Sequence, residues 1–131
     1  MNTTYFLNLV AGNVFKTKTS PAIPSKYYLA LSTTAPKADG SSCTEPTDSA
    51  YARVELTNMS APANGVVSNT SLIQFPESTA DWGIMSYYGI FDAATGGNLL
   101  MYGELTKSRT VEANTIMIVR EGSLNLSIAN P

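Results

Sequence analysis

Apolar and polar positions alternate with a period of two along most of the chain, and that pattern marks β-strands. In residues 26–34 (KYYLALSTT), Tyr28, Ala30 and Ser32 share one face, and Tyr27, Leu29 and Leu31 the other. Residues 51–58 (YARVELTN) turn Ala52, Val54 and Leu56 inward and leave Arg53 and Glu55 toward solvent. Residues 70–75 (TSLIQF) form a short strand that stops at Pro76. Two longer runs, 83–93 (GIMSYYGIFDA) and 98–105 (NLLMYGEL), flank an AATGG connection. They predict a hairpin, because Gly96 and Gly97 take positive φ at little cost and Asn98 tolerates it. Asp92 is placed to cap this turn by accepting backbone N–H groups from about Thr95 to Gly97. Residues 106–114 (TKSRTVEAN) read as a connection to two last strands, 115–120 and 123–129, joined at Glu121–Gly122. Asn64–Gly65 marks a further tight turn.

Only the start of the chain has helical spacing. Over residues 3–15, Phe6, Leu7, Val10, Ala11 and Val14 recur on one side, with Thr3 or Thr4 as the cap and Gly12 as the weak point. Pro21 and Pro24 then prevent regular structure. The chain thus divides into an N-terminal helical arm with a proline-containing linker, residues 1–24, and a β-sandwich domain, residues 25–131. The arm either packs on its own domain or reaches out to a neighbour. In the second case Phe6, Leu7, Val10, Val14 and Phe15 are its docking residues. The polar segment 35–50 is longer than most connections and is a second candidate contact element.

With about seven or eight strands and a turn every eight to twelve residues, the expected fold is mainly β. It is a single antiparallel β-sandwich, jelly-roll-like, or a barrel, with the short N-terminal helix as an arm.

Composition removes most function classes. The 131 residues suffice for one domain with a real core, since 44% are hydrophobic and only 14% charged. The net charge is −2, and no Lys/Arg stripe forms, so neither nucleic acid nor an anionic membrane is an expected partner. The first twenty residues lack the basic start of a signal peptide and the length of a membrane span. The product is expected to stay in the cell that makes it, or to leave by lysis or in a particle.

There is no histidine, so Ser-His-Asp and Cys-His nucleophilic sets are excluded. The lone Cys43 lies in a polar loop and forms no internal disulfide. No cofactor and no metal site are expected. Glu77, Asp81 and Asp92 read as turn caps rather than a catalytic carboxylate pair, and no enzyme activity is expected. Trp82 and Tyr87 are candidate stacking faces for a glycan. Trp82 equally suits a plug at the end of the sandwich, its N–H bonded to a carbonyl.

The segments YYLALSTTAP, ADGSSCTEP, YARVELTN and IQFPESTADWGIMSYYGIFDAATGGNLLMYGEL occur in this order. Together they resemble a family of small bacteriophage virion proteins of the tail fibre or minor tail type, over residues 27–128. One departure is ESTADW, slightly shifted from the family's spacing. The resemblance implies a structural protein located in the virion, with copies of itself and phage capsid or tail proteins as partners. The chain has no heptads, collagen-like tract or long repeat for a fibre shaft. It is therefore expected to be an accessory that docks as an oligomer, a trimer by analogy with phage architecture. Capsid decoration and tail or baseplate association are both open. The alternative is a host-receptor adhesin module that binds a surface glycan.

Overall fold

A computed structural model describes residues 1–16 and 21–128. Residues 17–20 of the expected linker and residue 129 of the expected last strand lie outside it. The chain runs α1 (Thr4–Val14), β1 (Tyr28–Ser32), β2 (Val54–Glu55), β3 (Val66–Ser68), β4 (Ile73–Gln74), β5 (Gly83–Phe91), β6 (Leu99–Val111), β7 (Ile118–Val119) and β8 (Asn125–Ser127). All pairings are antiparallel. They form one four-stranded sheet, β2-β1-β5-β6, and two two-stranded sheets, β3-β8 and β4-β7. The sheets pack as a sandwich; they do not close into a barrel.

Register divides the side chains of the large sheet between two clusters. Leu29 pairs with Ile90 and Ile90 with Met101, and all three enter the main core with Phe75, Trp82 and Met85. One residue along, Ala30 pairs with Gly89 and Gly89 with Tyr102, on the opposite face. There Ala30, Phe91 and Leu99 form a second cluster, with Cys43 and Tyr102 packed against it. Both faces of this sheet are therefore covered, the second by the segment 35–50. Gly89 is required by that closeness: a Cβ would stand 2.8 Å from Leu99 Cδ1 and 3.4 Å from Cys43 Sγ.

Several strands differ from the sequence pattern. β3 follows a turn signal where no strand is expected, and β4, β7 and β8 are shorter than the runs 70–75, 115–120 and 123–129. β7 and β8 pair with β4 and β3, not with each other across Glu121–Gly122. Only Val54–Glu55 of the expected 51–58 strand joins a ladder, because Tyr51 and Arg53 are engaged by side-chain partners described below. Conversely, β6 does not end at Leu105 but continues through the expected connection to Val111. Its second half pairs with the start of β5, Met85 facing Arg109. A bulge makes this possible: Tyr87 still pairs with Glu104, so Ser86 stands against residues 105–108.

The helix packs on its own domain. Phe6 and Leu9 are buried in the main core. Thr3 is the N-cap, its Oγ1 accepting from the Phe6 N–H at 3.2 Å and lying 2.8 and 2.9 Å from the Leu99 and Leu100 carbonyls, to which it donates. The residues before it add a short antiparallel pairing to the β6 edge. Thr3 N–H donates to the Leu100 carbonyl and Tyr102 N–H to that of Met1.

The apolar residues grouped on one side of α1 by sequence spacing separate in space. Phe6 and Leu9 face inward, whereas Leu7, Ala11 and Val14, at i, i+4 and i+7, face solvent. The helix is apolar on two sides.

Thr3→Ala should lower stability by about 1 kcal/mol, the usual cost of a lost N-cap. Thr4→Ala, at an exposed position, should stay within about 0.5 kcal/mol of the parent. Urea denaturation monitored by circular dichroism measures both, and equal midpoints for the two variants would contradict the cap assignment.

Candidate functional site

The predicted hairpin turn, the segment 35–50 and the strand 51–58 meet around one side chain. Arg53, read from the alternating pattern as solvent-facing, is instead buried, with 7% of its side chain exposed. Its Nε and Nη2 donate to Glu45 Oε1 and Oε2 at 2.9 and 2.8 Å, a bidentate pair. Its Nη1 donates to the carbonyls of Ala93 and Gly96, both at 2.8 Å. The guanidinium carbon lies 3.6 Å from the centre of the Phe91 ring. These partners explain the departure from alternation, since a planar fork with a ring beneath it is satisfied without water.

Tyr51 extends the network. Its hydroxyl donates to Glu45 Oε1 at 2.7 Å and accepts from the Leu31 N–H of β1 at 3.2 Å. Burial raises the tyrosine's proton affinity well above the ordinary value, and the Glu45 charge adds to it. Burial also pushes Glu45 upward, but the hydrogen bonds from Arg53 and Tyr51, with the Arg53 charge, outweigh it and hold the carboxyl below its usual range. Cys43, half-buried beside this carboxylate, is raised first by burial and then by Glu45, so its thiol stays protonated.

The hairpin turn is closed from within. Asp92 accepts from the Asn98 backbone N–H at 2.7 Å and from Asn98 Nδ2 at 3.1 Å. The cap is thus on Asn98, not on the expected Thr95 to Gly97, because the loop folds back far enough for Asn98 to face Asp92. Gly96 and Gly97 both have positive φ, at 62° and 73°. At Gly97 a Cβ would also collide with the Asp92 carboxylate.

A second carboxylate fastens the same polar segment to the entrance of β5. Asp48 accepts from Thr79 N–H at 2.7 Å, Ala80 N–H at 3.1 Å and Trp82 Nε1 at 2.9 Å. The Thr79 hydroxyl and Ala50 N–H also donate to it. These bonds, the Thr79 and Trp82 ones foremost, hold Asp48 far below the ordinary carboxylate range. The Trp82 N–H therefore meets a carboxylate rather than the expected carbonyl. Nothing local in the sequence announces either carboxylate partner; the only signal was that the 35–50 segment is long and turn-rich.

The remaining candidates lie apart. Of the arm residues, Phe6 is buried and Val10 half-buried, while Leu7, Val14 and Phe15 are 41%, 62% and 78% exposed. Ile23, beyond the helix, is likewise exposed. Trp82 is only 4% exposed and its ring packs edge-to-face on Tyr51 and Phe75, so it presents no open face to a sugar. Tyr87 is half-buried, opposite Ser32 and Glu104. Asp81 accepts from the Ala113 N–H at 3.0 Å. Among the described residues, no group of three or more His, Cys, Asp or Glu side chains is placed to hold a metal ion. Nor is any described helix long and apolar enough to cross a membrane.

Arg53→Lys should cost about 2 kcal/mol, because a single ammonium replaces charge-assisted bonds worth roughly 1.5–3 kcal/mol each. Lys26→Met, at the exposed pair with Glu55, should change stability by less than about 1 kcal/mol. Chemical denaturation decides: equal losses would show that the Arg53 fork holds nothing together. For pH, Glu45 and Asp48 are both depressed in the folded state, so the unfolded chain takes up protons first on acidification. Their contribution is complete above about pH 5 and drains as pH falls through the ordinary carboxylate range toward the folded values. The melting temperature should drop between pH 5 and pH 2.5, and drop less in Asp48→Asn; a parallel drop in both proteins would rule out the Asp48 linkage.

A family model described as "Podophage GP4 fiber I protein gp80" matches residues 2–127. Comparison with curated proteins gives no match.

Proposed function

The chain belongs to the podophage GP4 fiber I protein gp80 family, a family of phage fibre proteins and hence virion structural components, and from that premise we propose that it is a non-catalytic module that docks on the particle through the outer face of α1. The carrying observation is the two-sided helix. Phe6 and Leu9 already complete the domain's own core, yet Leu7, Val14 and Phe15 remain in water. An apolar stripe on each side is the pattern of a helix covered on both. With about 25 cal/mol for each Å² removed from water, such side chains favour association.

The family match supports a place in a fibre or tail assembly over capsid decoration. Copies of the same chain are proposed as partners, together with the virion proteins that carry the fibre. Repetition would make a modest interface adequate, since contacts in one assembly act together. The non-catalytic reading is supported by the absence of histidine and by the occupation of Glu45, Asp48, Asp81 and Asp92 in structural hydrogen bonds.

Val14→Lys with Phe15→Lys should leave the domain folded, with stability within about 0.5 kcal/mol of the parent, because both sites are exposed and a cation suits a helix C-terminus. Particles assembled with this variant should lack the protein. Quantitative mass spectrometry of purified virions measures occupancy, and full occupancy by a folded double variant would defeat the docking assignment.

A further inference from the structure

The second half of β6 and the segment 115–125 enclose a groove of about 780 Å³, within the size range of ordinary ligand sites. It exists because β6 continues past its bulge to Val111 instead of turning away at Leu105. Its floor is the main core, with Leu31, Met117 and Leu124 among the lining residues. Its rim is polar and basic.

Lys107 and Arg109 come from β6, and Arg120 from the turn after β7. Glu104 is the one carboxylate that lines the groove among the described residues. Three cations less one anion leave it at +2, on a chain whose net charge is −2. The three cations are also uncommitted. Lys26 pairs with Glu55 and Arg53 with Glu45, but none of the groove's cations forms an ion pair or donates a side-chain hydrogen bond among the described residues. Thr115 and Ser123 also line the groove. The aromatic ring at the wall is Tyr88, rather than Trp82 or Tyr87.

We propose that this groove binds an acidic polysaccharide. Unpaired cations at a few points suit carboxylates spaced along a sugar chain. The lining threonine and serine suit its hydroxyl groups, and a lining tyrosine with an apolar floor suits the faces of its rings. A nucleic acid fits less well, because its denser phosphates call for a continuous basic stripe and would be repelled by the acidic remainder of the chain. No groove residue belongs to α1, so this inference goes beyond docking and fails or stands independently of it.

The test is calorimetric titration of the purified protein at low salt with polygalacturonate and with alginate. Dextran serves as the uncharged control and poly-L-glutamate as the charge control. Binding to at least one acidic polysaccharide is expected, weakening as salt is added, with none to dextran and distinctly weaker binding to poly-L-glutamate. Lys107→Glu with Arg120→Glu should weaken the binding about tenfold, since two exposed attractions become repulsions. Lys26→Glu should leave it unchanged, and melting curves should show every variant folded. Absence of binding to both acidic polysaccharides would overturn the proposal. Equal affinity for dextran or poly-L-glutamate, or no loss in the folded double variant, would do the same.

Discussion

The guanidinium of Arg53 is the point on which the rest of this structure depends. A charge buried to this extent is costly unless it is paired and its donors are used. Here the pairing is bidentate with Glu45, two backbone carbonyls of the hairpin turn take further donors, and Phe91 lies beneath the plane. Each partner comes from a different part of the chain. The segment 35–50, the strand residue itself and the 93–96 turn can therefore satisfy this group only in one mutual arrangement. The net stabilisation from a buried pair is small in general. Its consequence here is geometric: it presses a polar loop onto the second face of the large sheet, where Ala30, Phe91 and Leu99 would otherwise meet water.

Asp48 repeats the device at the other end of the same loop. By gathering donors from Thr79, Ala80 and Trp82 it fastens the loop to the entrance of β5 and orients the only tryptophan. The loop is thereby part of the wall. So is the hairpin, with Asp92 closing its turn and Arg53 holding the tip from outside. The motif residues that give the chain its family resemblance, including the Glu45, Tyr51, Arg53, Trp82 and Asp92 positions, converge on this scaffold. The exposed apolar residues of α1 and the groove beside the second half of β6 lie apart from this scaffold.

Much of the architecture was legible along the chain. The period-two runs located β1, β5 and the first half of β6, and the Gly-Gly-Asn sequence located their hairpin, because side-chain alternation and positive φ are local properties of a few adjacent residues. For the same reason the helix cap was readable as Thr3 or Thr4, and the structure selects Thr3. Alternation failed where a residue's partner was remote. Arg53 stands at a polar position of a regular pattern and yet is interior, since Glu45, Ala93 and Gly96, 8, 40 and 43 residues away, receive its hydrogens. The helix misled differently: five apolar residues at helical spacing suggested one face, and only packing showed that Phe6 turns inward while Leu7 and Val14 turn out.

By itself, then, the sequence determined the class of fold, the hairpin, the start of the helix to within one residue and the lack of a histidine-based catalytic set, all of which follow from residue type and short spacing. Tertiary structure alone decided that β6 runs on through residues 106–111, that Arg53 is buried, and that Lys107, Arg109 and Arg120 share a groove. The physical reason is common to all three. A strand extension, a desolvated charge and a cluster of like charges each depend on groups brought close by chain folding, and a period read over ten residues carries no record of them.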